Sequence, residues 1–182
     1  MCVSLLDMTA SCESAAGGVA RVFGILSEDV ASIAGIDGTT KIIPQNGLVY
    51  TSTAKMFEFD FIKNSEGGKA DLNENDLGTP QSPAYESLLS FSVKGNGAVN
   101  RAYLNEVRKG FRGVLGIVTN SGQIFLMGTK SAPAVLRKYT RKFGNDLEAA
   151  NVQELEFYYK SAVGLVEYAG SVADLTTVGL ND

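Results

Sequence analysis

Carboxylates recur at period two in two segments: Glu58 and Asp60 within Met56–Lys63 (MFEFDFIK), and Glu154 and Glu156 within Val152–Ala162 (VQELEFYYKSA). On extended backbone each pair projects to one side with its members about 7 Å apart. That spacing suits the acid pair of a glycosidase or a hard cation. A sugar-cleaving site also needs aromatic and polar groups converging on the same cleft, and nothing in the sequence places them there, so both pairs read as a solvated sheet face. Asp71-x-Asn73-x-Asn75 opens like a calcium loop, but Asp76 stands where the glycine belongs and Ser82 where the bidentate glutamate belongs. Gly17-Gly18 precedes a strand pattern and has no Lys-Ser/Thr after it, which excludes a phosphate loop. Gly95-Asn-Gly97 opens a helix pattern without the third glycine or the ribose-binding carboxylate of a dinucleotide site. It reads as a turn and a cap.

Composition narrows the chemistry further. The 182 residues contain no histidine, which removes Ser-His-Asp and Cys-His nucleophile systems, His-ligated zinc or haem, and imidazole acid–base catalysis. The expectation is a protein that is not an enzyme and holds no cofactor or metal. Sixteen Lys and Arg against twenty Asp and Glu give a net charge of −4, with no overall field drawing the chain to nucleic acid. Arg137, Lys138, Arg141 and Lys142 nevertheless cluster within six residues. Such a run serves as a solvated face, a nucleic-acid contact through counterion release, or a surface for an acidic partner. Cys2 and Cys12 sit at the N-terminus and read as reduced thiols. The opening residues lack a basic n-region, and no apolar stretch nears the roughly 20 residues of a membrane span. A soluble chain from a reducing compartment, with no membrane partner, is the expectation.

The elements that carry these residues read as mostly strands. Twenty glycines separate β-branched and aromatic runs. Val19–Leu26 alternates, with Arg21 sharing the Val19, Phe23 and Ile25 side. Ser27 can cap a helical turn running through Asp29, Val30 and Ile33 to Gly35. Brief strands at 41–44 and 48–50 are weakly signalled. In Met56–Lys63 the rings of Phe57, Phe59 and Phe61 oppose Glu58 and Asp60. Tyr85–Lys94 sets Tyr85, Leu89, Phe91 and Val93 against Glu86, Ser90 and Ser92.

Between these strands, 64–83 is a long polar loop carrying Glu66, Asp71, Glu74 and Asp76, either solvent-exposed or ordered against a neighbouring subunit. Ala98–Lys109 predicts a helix with a Val99, Tyr103, Val107 stripe, Leu104 and Phe111 beside it, and Gly110 as its left-handed C′ residue. Gly113–Thr119 and Gln123–Gly128, joined by Asn120-Ser121-Gly122, predict a hairpin apolar on both faces, hence central and covered by that helix. Residues 131–144 fit a helix or a strand. Val152–Ala162 predicts a strand, 164–168 another, and the tail from 169 little structure. One domain spans 1–182 with its core at about 17–168. The fold class is mainly β (α+β): a β-sandwich or curled antiparallel sheet with one flanking helix and a long hairpin loop.

This order of elements resembles the tail-tube and neck-ring structural proteins of tailed bacteriophages, particularly crAss-like and related phages of Bacteroidota. The residues that carry it are Gly17-Gly18-Val-Ala-Arg-Val, the aromatic strand Phe57 to Lys63 with its polar loop, Tyr85–Val93, Asn100-Arg101-Ala-Tyr-Leu, Gly116–Gly128 (GIVTNSGQIFLMG) and Leu155–Tyr159. The likeness is one of layout over about 12–168, without an active-site motif. The basic stretch 136–143 departs from the Gly-rich segment usual there. The resemblance implies a virion protein, assembled in the host cytoplasm, that forms a homo-oligomeric ring among neighbouring ring proteins. DNA would be met only in passing through the lumen. On that reading Glu58, Asp60, Glu86, Glu154 and Glu156 line the lumen. Subunit contacts would join Glu66, Asp71, Glu74 and Asp76 to Arg137, Lys138, Arg141 and Lys142. The alternative is a secreted or surface ligand-binding β-sandwich without catalysis; an enzyme using paired carboxylates is a third reading.

Overall fold

The computed structural model describes residues 18–34, 41–51, 56–59, 70–79, 82–94, 104–105, 107–142 and 152–176. Mainly β architecture is the outcome. Among the described residues the strands are β1 (Val19–Leu26), β2 (Val30–Ile33), β3 (Ile42–Ile43), β4 (Leu48–Tyr50), β5 (Phe57–Phe59), β6 (Asp71–Asp76), β7 (Tyr85–Lys94), β8 (Arg112–Thr119), β9 (Ile124–Met127), β10 (Ala134–Lys142), β11 (Val152–Ser161) and β12 (Val166–Tyr168). Ten of them form one sheet running β3-β12-β9-β8-β10-β11-β7-β6, with β1 joining β8 to β5; β2 and β4 make a separate pair. All pairings are antiparallel except β3 with β12.

The large sheet folds over on itself. β8 pairs β9 through Leu115–Val118 but meets β10 only at Arg112 and Gly113. The sheet turns at that corner, and β10-β11-β7-β6 becomes a second layer facing β5-β1-β8-β9. Alternation then does the sorting, because successive side chains point to opposite faces. Val22, Phe59, Leu115, Ile117 and Met127 meet Leu89, Phe91, Leu155 and Phe157 of the second layer in one buried cluster. Phe157 lies 5.7, 5.8 and 5.3 Å, ring centre to ring centre, from Phe59, Phe91 and Phe111. The opposite parity, Phe23, Ile25, Val114, Val118, Ile124 and Leu126, enters a second cluster with Val30 and Leu48 of the small sheet, Met56, Tyr168 and Leu175. The central hairpin is therefore apolar on both faces because each face has a core of its own.

The flanking helix contributes Leu104 and Val107 to the first cluster. Gly110 follows it at φ 114°, the left-handed terminator the sequence predicts. Val99 and Tyr103 of the expected stripe lie outside the described residues. Leu104 and Val107 share the cluster on one face of the hairpin with the second β layer.

Three expectations are corrected and one open alternative is settled. The polar stretch 64–83 contains β6, a strand of six residues fully paired to β7. It is an edge strand: of its side chains Leu72 packs against the core, Glu74 on the same side bonds Ser87, and charged residues are tolerated along an edge. The turn at Ser27 ends after one 3₁₀ turn, Ser27–Asp29, and Val30–Ile33 continues as β2 against β4. Residues 134–142 are strand, with a register shift between Leu136 and Lys138. The C-terminal stretch is not bare: Val172–Thr176 is a short helix with Leu175 buried.

Beside that helix, the Tyr50 hydroxyl donates to the Leu175 carbonyl at 3.2 Å. Burial, reinforced by nearby Tyr168, pushes the Tyr50 phenol well above its ordinary value of 10. Between that value and the raised one, the unfolded chain has released a proton that the folded chain retains. Stability is therefore full below about pH 10 and falls as pH rises past it. Urea midpoints measured from pH 9 to 11 are expected to decline, and Tyr50→Phe to make the decline shallower. Parallel declines in the two chains would remove Tyr50 as the source.

Candidate functional site

The outward face of β6-β7-β11-β10 gathers Asp71, Glu86, Arg137, Lys138, Glu154 and Glu156 of the residues that the sequence singles out. Leu155, Phe157 and Tyr159 turn inward, so Glu154 and Glu156 turn out. Glu154 sits opposite Ser92 and Glu156 opposite Ser90 on β7, with Asp71 next in line on β6. On the other side, Glu156 faces Lys138 and Glu154 faces Thr140. Together Asp71, Ser90, Ser92, Lys138, Glu154 and Glu156 line an open groove of about 440 Å³, floored by Phe91 and Leu155. Glu86 lies farther along the same face, opposite Lys160.

Arg137 and Lys138 of the basic cluster belong to this face, whereas Arg141, opposite the buried Gln153, shares the inward parity of Tyr139 and Leu155. At the register shift, Arg137 Nε lies 3.6 Å from Glu156 Oε1 and its guanidinium carbon 5.6 Å from the centre of the Tyr158 ring. Arg137 is more than half exposed, so this pair contributes at most about 1 kcal/mol. Lys138 and Arg141 are exposed. Lys142 ends β10, and its side chain lies outside the described residues.

Glu58 does not share the face. It alternates with Phe57 and Phe59, which enter the aromatic cluster from the opposite layer, so it points away on the far side of the sandwich. There it makes a bidentate pair with Arg21 (Nε–Oε1 2.8 Å, Nη2–Oε2 2.6 Å), while Arg21 also stacks 4.8 Å over Phe23. That hydrogen bond raises the Arg21 pKa. Period-two alternation identifies the side opposite a core; in a two-layer protein there are two such sides. Asp60 and Glu66 lie outside the described residues.

Two acidic residues of β6, Glu74 and Asp76, are occupied within the chain. Glu74 Oε2 accepts the Leu165 N–H at 2.5 Å and the Ser87 hydroxyl at 3.3 Å, tying β6 to the loop before β12. Asp76 Oδ1 accepts the Gly78 N–H at 2.9 Å in the turn that follows. Asp71 is exposed on the groove.

Chemically the groove offers hydrogen bonding and mixed charge. Among the described residues no group of three metal-ligating side chains comes together, and no helix is long and apolar enough to cross a membrane. Sequence reasoning missed Lys138, Ser90 and Ser92 as groove neighbours of Glu154 and Glu156, since only the strand register brings them together. The buried Gln153, which accepts from the Tyr139 hydroxyl, was also unmarked; a lone polar residue in an alternating strand gives no signal of its own. No protein-family model matches the chain, and neither does any curated protein.

Proposed function

We propose that this chain is a virion structural protein that assembles with copies of itself into a ring of a phage tail tube or neck, through which DNA passes. One observation carries the reading. The layer β10-β11-β7-β6 has one face sealed by the core and the other a broad polar surface. Ten-residue strands make that surface about 33 Å long. Among its described residues, Asp71, Glu86, Glu154 and Glu156 are interleaved with Arg137, Lys138 and Lys160. Such a surface, weakly negative among its described residues and with its cations each set beside a carboxylate or an aromatic ring, holds phosphates only weakly, as a conducting lumen requires. The layout of strands, helix and hairpin supports the same reading through its likeness to tail-tube and neck-ring proteins.

The lumen role therefore falls on Glu86, Glu154 and Glu156, and leaves Glu58 to its pairing with Arg21. Asp71 and Lys138 lie on that lumen surface themselves, so of the described basic residues the subunit-contact role falls on Arg141, whose side chain reaches the surface. Neighbouring ring proteins of the virion are the further partners. Negative-stain images of the concentrated chain test this: annular particles with an open centre are expected, and a field of single small particles overturns it.

A second reading, a ligand-binding β-sandwich that is secreted or at a cell surface, is favoured by the groove alone. Its volume is that of a small-molecule site, and its lining suits a polar ligand. Saturable ligand binding by a monomeric chain, lost in Glu154→Ala, would select it over the ring.

A further inference from the structure

The short helix Val172–Thr176 occupies a socket more elaborate than a trailing end requires. Gly116 interrupts the second core face of β8, between Val114 and Val118, and its missing side chain leaves a dent. Leu175 fills it. A Cβ placed on Gly116 would lie 3.3 Å from Leu175 Cδ1 and 3.6 Å from Met56 Cε. Leu175 is 1% exposed.

Two polar groups read the backbone and the side chain next to that leucine. The Tyr50 hydroxyl donates to the Leu175 carbonyl, and Gln45 Nε2 donates to Asp174 Oδ2 at 3.0 Å. Gln45 is itself held by the Tyr168 hydroxyl on its carbonyl oxygen. Within the segment, Asp174 Oδ2 accepts the Ser171 N–H and hydroxyl at 2.7 and 2.8 Å, so the turn is closed on itself. Five residues are far too few for a helix to persist alone in water. The socket therefore imposes the helical form, and one buried leucine is the anchor. The last backbone bond from the chain before this segment to the sheet is Ala169 N–H to the Ile43 carbonyl; Gly170 follows as the joint.

We propose that the dent at Gly116, with Met56, Tyr50 and Gln45, is a recognition site for a short self-capped peptide of the Ser-x-x-Asp-Leu type. It is filled in cis by residues 171–176 and is able to take the same segment from a second copy of the chain. The leucine supplies the anchor in a preformed apolar hole, and the aspartate and the leucine carbonyl set the direction of docking. The site stands apart from the ring reading, because a monomer carries it equally.

The test is fluorescence anisotropy with a labelled peptide of residues 169–182 and the full chain carrying Leu175→Ala, which leaves the socket unfilled. Saturable binding is expected, about tenfold or more tighter than to the wild-type chain, whose own segment competes. Leu175→Ala in the peptide should weaken binding about tenfold or more, and Gly116→Val in the chain should abolish it. Absence of saturable binding overturns the proposal, as does equal binding to both chains or by both peptides. Should the Leu175→Ala chain fail to fold, the wild-type chain is irradiated with peptide carrying Val172→benzoylphenylalanine. Cross-linking at Met56 is then expected, and labelling confined to other sites overturns the proposal.

Discussion

Phe157→Ala is expected to lower stability by about 3–5 kcal/mol, the range for emptying a fully buried aromatic position. The site is the hinge pin of the two layers. Phe157 is 0% exposed and comes from β11, yet its ring is flanked by Phe59 from β5, Phe91 from β7 and Phe111 ahead of β8. Removing it opens a cavity against three neighbouring segments at once and takes away one stacked, one tilted and one edge-to-face ring contact. Phe59 and Phe111 are braced by Phe57 and Phe91 by Phe59, so they cannot collapse freely into the space. Since a domain is stable by only about 5–15 kcal/mol in total, the variant should show a sharply reduced urea midpoint with an unchanged slope. A shift below about 1 kcal/mol would mean that the two layers do not depend on this aromatic contact.

Gly113→Ala should be more damaging than its chemistry suggests. Gly113 pairs with Leu26 of β1 on one side and Ala134 of β10 on the other, at the corner where the sheet folds. A methyl group there would overlap the Ile25 carbonyl oxygen and lie 2.7 Å from the Phe111 ring. Backbone atoms of β1 cannot yield without breaking their pairing to β8, so the corner itself must open. The expected result is a chain recovered mainly in the insoluble fraction, or one with a cost of several kcal/mol. Gly110→Ala, three residues earlier, is the internal control. Its Cβ would meet nothing within 4 Å, and the cost is that of a left-handed φ alone, about 1–2 kcal/mol. Equal effects at the two positions would contradict the close-packed corner.

Comparing these positions shows what the sequence made legible. The strand Val152–Ser161 is readable almost to the residue, because its apolar and polar side chains alternate and one face is buried; Val19–Leu26 is readable from its β-branched and aromatic content, although both of its faces are covered at 22–25. Gly110 is readable because a helix pattern stops at it. β6 was not, since Asp71-Leu-Asn-Glu-Asn-Asp76 is made of residues that disfavour strands. It is extended only because β7 offers a full edge to pair with. In β10, Val135, Tyr139 and the following Phe143 stand four apart, a spacing that serves a helix face as well as a strand. Pairing with β11 settles it, and the irregularity at Arg137 explains why the alternation was blurred. The Val172–Thr176 helix has one anchoring leucine, too little for any period to register.

The candidate site was half legible for a related reason. Glu154, Glu156 and Glu86 alternate with core residues, so their outward direction follows from the sequence. Which outward direction does not. The aromatic strand β5 and the strand β11 face each other across one cluster, so Glu58 and Glu156 leave it in opposite senses. Lys138 and Arg137 entered as a basic run, and only β10's place beside β11 shows that they temper the carboxylates of the same surface.

That tempered surface is what the ring account turns toward a shared passage, and self-assembly is the claim from which the rest follows. Light scattering on the eluting chain, over a hundredfold range of loading concentration, tests it most directly. The account predicts a species whose molar mass is a fixed multiple of 19.3 kDa, growing at the expense of the single chain as concentration rises. A constant 19.3 kDa across the whole range would contradict it.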